Sequence, residues 1–143
     1  EASGGERCGY VEQYCSATGI VRVAKDYLQE TDADSTLRTL DNMTCKDVFD
    51  AGKAGDAVAL VILERVYNYM GLFLASLCCV VDPEMVVLGG GVSKAGQVLL
   101  DGAKRYFDKY VFHACRQTRF ALASLGNDAG AYGAFKLVLD AYG

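Results

Sequence analysis

Two stretches of the chain carry residue types whose spacing could do chemistry. Leu88 to Ser93 reads LGGGVS, and the glycines Gly89, Gly90 and Gly91 let backbone N–H groups approach a ligand with no Cβ in the way. The β-branched run Met85 to Leu88 precedes them and a helical pattern follows, so a ligand there would also meet the partial positive charge of a helix start. That order of elements suits a nucleotide. It is not a P-loop, because no Gly-Lys-Ser/Thr follows four residues after a glycine, and the dinucleotide fingerprint fails where Lys94 takes the place of its third glycine. Taken alone, the triplet reads equally well as a closely packed strand-to-helix turn. The second stretch centres on Glu12, a carboxylate in a first helical turn, where the dipole favours negative charge for structural reasons alone.

Other reactive side chains are sparser. His113, the single histidine, stands two residues from Cys115, and His-x-Cys is too few ligands for a metal, so it reads as a surface or helix-end residue. Cys8, Cys15, Cys45, Cys78, Cys79 and Cys115 show no secreted-framework regularity, and the adjacent Cys78 and Cys79 sit in an apolar helical run as small hydrophobes. A reducing cytoplasm is the compartment they fit. A net charge of −4 without any Lys/Arg cluster longer than a pair argues against a nucleic-acid partner.

The elements that must position these groups follow from periodicity. With 143 residues, 52% of them hydrophobic and 22% charged, the chain is one globular domain burying roughly 68% of its unfolded surface. Glu1 to Gly9 is a Gly/Ser-rich loop or the stub of a cut element; no signal peptide opens the chain and Glu1 is not an initiator Met, as expected of a piece of something longer. Tyr10 to Leu28 predicts two short helices or one broken helix, hitched at Thr18 and Gly19, and Gln29 to Asn42 a polar surface excursion. Thr44 and Asp47 read as a capping box for a short helix ended by Gly52 to Gly55, and Asp56 caps a long helix to Val81. Its apolar stretch, Tyr69 to Val81, is shorter than the roughly 20 residues a bilayer needs, which predicts a buried helix and no membrane span. Met85 to Leu88 is too apolar for a half-exposed strand and predicts a central, parallel position. Ser93 caps the next helix, Arg119 to Leu125 alternates as a second strand, and Gly126, Asn127 and Asp128 turn into a closing helix, Ala129 to Tyr142, with Ala131, Ala134, Phe135, Val138 and Tyr142 on one face. The tyrosines Tyr67, Tyr69, Tyr106 and Tyr110 recur at helical spacing and are expected in the core. The class is α/β, helix-rich with a βαβα unit, and two strands alone imply that others are missing or supplied by a partner.

Four motifs carry a resemblance across most of the chain: VEQYCSATGIVRVAK at Val11, KDVFDAGKAGD at Lys46, DPEMVVLGGGVSKAG at Asp82 and LGNDAGAYGAFKL at Leu125. In this order the chain resembles the C-terminal half of bacterial glucokinases of the ROK family. The resemblance implies the C-terminal part of the actin-like (ribonuclease H-like) ATPase/sugar-kinase fold: a stub over 1–9, a helical part over 10–81 and a nucleotide-side βαβα part over 82–143. It implies ATP with Mg2+ as phosphoryl donor and D-glucose as acceptor, with the segment matching Leu88 to Ser93, including Gly89, Gly90, Gly91 and Ser93, on the adenosine side. It places Glu12 at the family's sugar-contacting glutamate, a role that suits a carboxylate able to accept from two neighbouring hydroxyls. Many members carry a CxCGxxGC zinc site just before that glutamate; the aligned positions here are Ser3, Gly5 and Tyr10, with Cys8 displaced by two, so no zinc is expected. The family's catalytic aspartate and first phosphate loop match nothing here and belong to an N-terminal lobe of the same protein, so this chain alone is expected to be inactive, and a homodimer is expected. The alternative is the sugar-sensing half of a ROK-type transcriptional repressor with an upstream DNA-binding domain.

Overall fold

The structure is a computed structural model and describes residues 9–142. Its spine is the helix α4 (Ala57–Val81), started by a carboxylate that does two jobs. Asp56 Oδ1 accepts from the backbone N–H groups of Val58 and Ala59, both at 3.0 Å. Its Oδ2 accepts from Ser35 Oγ at 2.9 Å, Thr36 N–H at 2.8 Å and Thr36 Oγ1 at 2.9 Å, tying the polar excursion to the helix start. At the far end Asp82 turns left-handed (φ 48°), and Pro83 follows. Inside α4 the buried residues include Val58, Ile62, Val66, Met70, Leu74 and Cys78, one continuous stripe at helical spacing. By length and composition alone α4 could cross a bilayer, but that stripe packs on the other helices as a core.

Two helices flank the spine. On one side α3 (Cys45–Lys53) begins with the expected capping box, Thr44 Oγ1 accepting from Asp47 N–H and Asp47 accepting from Thr44 N–H at 2.8 Å. Along the other lies α5 (Gln97–Tyr110), whose Leu99, Ala103 and Phe107 are fully buried. Gly71 of α4 faces the backbone of α5 so closely that an added Cβ would lie 2.6 Å from Phe107 N, and one on Gly102 of α5 would lie 2.5 Å from the Tyr67 ring. Two helices α1 (Glu12–Cys15) and α2 (Ala17–Glu30) meet at an extended Ser16, whose hydroxyl accepts from Gly19 N–H at 3.0 Å and lies 2.6 Å from Glu12 O as a donor. The break thus falls at Ser16, two residues before the expected hitch. The polar excursion holds a 3-10 turn, Thr36–Thr39, pinned by Leu37 in the core and by Arg38, which donates to Leu28 O and Ala33 O at 3.0 Å.

Strands β1 (Met85–Leu88) and β2 (Arg119–Leu122) pair in parallel, Met85 with Arg119 through Leu88 with Leu122, with α5 as the crossover. The second strand ends three residues earlier than its alternation implied. Val86, Leu88 and Phe120 turn toward the core, while Met85 and Val87 are exposed on the other face. The parallel pairing is as expected; among the described residues no third strand flanks the pair, and the outward side of β1 is open. Helix α6 (Ala129–Tyr142) has the expected bounds but buries nothing; Tyr132, Phe135, Leu137 and Val138 are all exposed. The tyrosine expectation is also corrected, since Tyr67 is buried whereas Tyr69 and Tyr110 are about two-fifths exposed. Tyr69 turns to Tyr14, ring centroids 5.0 Å apart, and Tyr110 lies at the rim of the α4–α5 seam, its hydroxyl donating to Asn68 Oδ1.

Two outcomes follow for stability. Gly71→Ala should lower unfolding free energy by roughly 1–3 kcal/mol in urea titration, because the clash with α5 backbone outweighs the gain of about 1 kcal/mol in helix propensity. Burial opposes ionisation of Asp56, but the hydrogen bonds from Ala59, Thr36 and Ser35 outweigh it and hold the carboxyl down to about 2. Its contribution is present above the ordinary aspartate value near 4 and lost as pH falls through 2. Asp56→Ala should therefore cost about 1–2 kcal/mol at pH 7, with the deficit closing between about pH 4 and pH 2.

Candidate functional site

The chain leaves β1 through Gly89 and enters a 3-10 turn, Gly91–Ala95. Gly90 (φ 75°, ψ −166°) and Gly96 (φ 76°, ψ −147°) bracket that turn in conformations that side chains disfavour. Ser93 closes it internally, with N–H donating to Gly90 O at 3.2 Å and Oγ at 2.7 Å. This corrects the expected helix cap: α5 starts after Gly96, and the Ser93 hydroxyl is spent inside the turn. The three glycines separate by role. A Cβ on Gly89 would press within 3.3 Å of Ala123, so that glycine serves packing, and Gly90 serves backbone conformation. Gly91 needs neither: a Cβ there would sit in ordinary contact, 3.6 Å from Ala17.

Gly91 is also the glycine that lines a cavity of about 290 Å3 between the turn and α3. Val92 and Ala95 of the turn and Cys45 and Phe49 of α3 make its apolar walls, and Lys46, Lys53, Lys94 and Asp50 its charged rim. Lys46 bonds Asp50, and Lys53 lies 3.9 Å from the same carboxylate. Exposed Lys94 has no carboxylate partner among the described residues. Burial pushes the Cys45 thiol up to about 11, so at neutral pH it is a wall, not a nucleophile. A slot with an aromatic floor and a cationic rim suits a flat base with an anionic tail.

Glu12 is exposed at the start of α1 and lines a shallow hollow of about 220 Å3 with Gln13, Thr18, Gly19 and Arg22. Arg22 lies 3.9 Å from Asp26 and over the Tyr14 ring, which leaves one carboxylate and one guanidinium around this hollow. Ala17, the first residue of α2, adjoins both regions, touching the Gly91 position on one side and following the Glu12 turn on the other. Sequence reasoning missed the α3 wall. Its KDVFDAGKAGD stretch reads as a motif of the resemblance and, with Thr44, as capping chemistry, and nothing local shows that Phe49 and Lys53 face the glycine turn. His113 is exposed with its ring against Phe112. The zinc-loop positions Ser3, Gly5 and Cys8 lie outside the described residues; Tyr10 is exposed.

The profile of the ROK family matches residues 3–141. The chain belongs to the ROK family. A glucokinase of Halalkalibacterium halodurans is 39% identical over 136 residues, which cover 92% of this chain and 41% of that protein. A ROK family glucokinase from Streptomyces griseus, solved in complex with glucose and AMPPNP, superposes with a TM-score of 0.78 at 30% identity, over 93% of this chain and 45% of its own. A ROK family transcriptional regulator superposes at 0.68 with 20% identity over 84% of this chain and 32% of its own, a likeness of fold. The chain thus has the fold of ROK sugar kinases, and it spans about two-fifths of the length of the curated relatives it matches.

Proposed function

We propose that this chain is the C-terminal portion of a longer ROK-family glucokinase, which transfers the γ-phosphoryl group of ATP to the 6-hydroxyl of D-glucose. The observation that carries the reading is the cavity where Gly91 and Val92 face Phe49, one residue, Ala17, away from the hollow at Glu12. In this reading the base lies in the slot between the turn and α3, and the rim lysines attract the phosphates. Glu12 accepts from sugar hydroxyls and sets the acceptor's orientation. The glucose O6 forms a bond to the γ-phosphorus as the bond to the ADP oxygen breaks, in line. Its proton passes to a carboxylate contributed by the N-terminal lobe, which the resemblance places outside this chain. Mg2+ would accompany the nucleotide. Among the described residues no group of three His, Cys, Asp or Glu side chains could hold it, so no step is assigned to it here.

The apolar faces support the missing-lobe part of the reading. Tyr132, Phe135, Leu137 and Val138 on α6 and Val87 on β1 are exposed apolar side chains that no described residue covers. Cys15, Cys45, Cys78, Cys79 and Cys115 are all free thiols, in keeping with the cytoplasm. The homodimer belongs to this reading as an expectation of the family. The repressor alternative gains only the fold likeness to the regulator.

In the longer protein, Gly91→Val should leave the melting temperature nearly unchanged and weaken ATP binding at least tenfold in calorimetry. Unchanged affinity would remove the nucleotide from this cavity. Glu12→Gln should raise the glucose KM roughly tenfold or more, the loss expected when a hydrogen bond to a charged acceptor is weakened, with a smaller change in kcat. An unaltered KM would leave Glu12 a helix-start residue only.

A further inference from the structure

The adjacent cysteines Cys78 and Cys79, alike in sequence, part company in the structure: Cys78 is fully buried in the α4 stripe and Cys79 is exposed. A third thiol meets them at the end of α4, and neither the nucleotide nor the sugar reading uses it. Cys115, 6% exposed, sits in the 3-10 turn His113–Gln117 that leads into β2. Its Sγ donates to Cys78 O at 3.6 Å, the carbonyl that also accepts from Asp82 N–H at 2.8 Å. Cys78 O and Cys79 Cα belong to one planar peptide unit, so the Cys115 sulfur lies no more than about 6.5 Å from Cys79 Cα by standard backbone dimensions. The ionisable side chains that adjoin that sulfur are those of Asp82 and Cys79. Local hydrogen bonds hold the turn in place. The hydroxyl of buried Thr118 lies 2.8 Å from Cys115 O and 3.3 Å from Pro83 O as a donor, and Arg119 N–H donates to Glu84 O at 3.0 Å.

A disulfide needs sulfurs that a side-chain rotation can bring together, and an exposed Cys79 is free to rotate. Burial, and then the charge of Asp82, push the Cys115 thiol up, so the exposed Cys79 reacts first. We propose that Cys79 and Cys115 are a reversible thiol pair that closes to a disulfide when the protein meets a peroxide. Cys79 Sγ bonds to one oxygen of hydrogen peroxide as the O–O bond breaks, which leaves Cys79–SOH and one water. Cys115 Sγ then bonds to Cys79 Sγ, the S–O bond breaks, and the departing hydroxyl takes the Cys115 proton as a second water. The two thiols together give two electrons and two protons to the peroxide, and a dithiol reductant restores both. A hollow of about 330 Å3 that Cys115 lines with Asp82, Glu84, Thr118 and Arg119 gives that second water an exit. Because the fold already holds the second thiol at the first, the crosslink forms ahead of further oxidation of Cys79. The bond would close β1, the glycine turn and α5 into one loop.

The test treats the longer protein with a small excess of hydrogen peroxide and no sugar or nucleotide, so its outcome is independent of the kinase reading. Mass spectrometry of a non-reduced digest should find most of the oxidised protein crosslinked between Cys79 and Cys115, and dithiothreitol should return both thiols. Cys115→Ser, with circular dichroism unchanged, should raise the trapping of Cys79–SOH by dimedone about fivefold or more, because the thiol that consumes it is gone. Cys79→Ser should leave Cys115 a free thiol under the same treatment. Four results would each overturn the proposal: a Cys79 that stays reduced, a Cys79 that advances to sulfinic acid while Cys115 is recovered as a free thiol, a crosslink from Cys79 to Cys78 or any other cysteine, or a dimedone yield indifferent to Cys115→Ser.

Discussion

The seam between α4 and α5 is the constraint on which the rest of the structure depends. Gly71 and Gly102 let the two helices approach until Tyr67 lies against one glycine and Tyr106 and Phe107 against the other, without a Cβ on either side to hold them apart. Each glycine costs its helix about 1 kcal/mol in propensity, which the buried rings and the continuous stripe from Val58 to Cys78 offset. Because α5 is the crossover between β1 and β2, the seam also sets where the sheet lies. The glycine turn hangs between β1 and α5 and is positioned at both ends by the same contact.

The opposite wall of the proposed nucleotide slot is referenced to the same helix. Asp56 fixes the start of α4, Asp56 N–H donates back to Ala51 O at 3.0 Å, and Ala54 N–H to Asp50 O at 2.9 Å, so α3 leaves α4 at one angle. The slot between Gly91 and Phe49 is then the gap between two elements anchored separately on one spine. A site built in this way needs no side chain reserved to hold it open. Its walls can carry mobile lysines while its depth is set by backbone, a division that suits a ligand whose flat end needs a fixed slot and whose charged end needs only attraction.

Local chemistry was the part of this architecture legible in the sequence. The Thr44–Asp47 box, the Asp56 cap, the bounds of Met85–Leu88 and of Ala129–Tyr142, and the existence of a break in the first helical stretch, though at Ser16 and not at Thr18 and Gly19, all rest on interactions within a few residues, and periodicity or cap chemistry reports those directly. Ser93 misled because a serine before a helical pattern fits either an N-cap or a 3-10 turn, and only the positive φ of Gly96 decides. Tyr69 and Tyr110 misled for another reason: helical spacing tells which residues share a stripe, not what that stripe faces. The strand expected at the centre of a sheet was read correctly as apolar, yet burial is supplied by neighbours that a single stretch cannot name. The same limit hid the α3 wall. Lys46, Phe49 and Lys53 lie some forty residues before the turn they face, and no pattern in either segment encodes the pairing.

That limit gives the exposed faces their meaning. A helix whose sequence alternates as α6 does, with Phe135 and Val138 on one side and Tyr132 and Leu139 close by, gains little from forming in isolation, since helices of about this length are marginal in water and owe their stability to a packed face. The two-stranded pair β1–β2 is marginal for the same reason and leaves Val87 outward. The well-packed portion, α2 through α5, meets its own requirements through the seam and the Asp56 hydrogen bonds. The elements that do not are the sheet and the last helix, and the glycine corner borders them. On the proposed reading that is where the remaining lobe would add its strands and close the site, so nucleotide binding and completion of the fold would draw on one surface. The deep slot, built from α3 and the turn, would be formed before that closure, whereas the Glu12 hollow, open and shallow, would acquire its other wall from it.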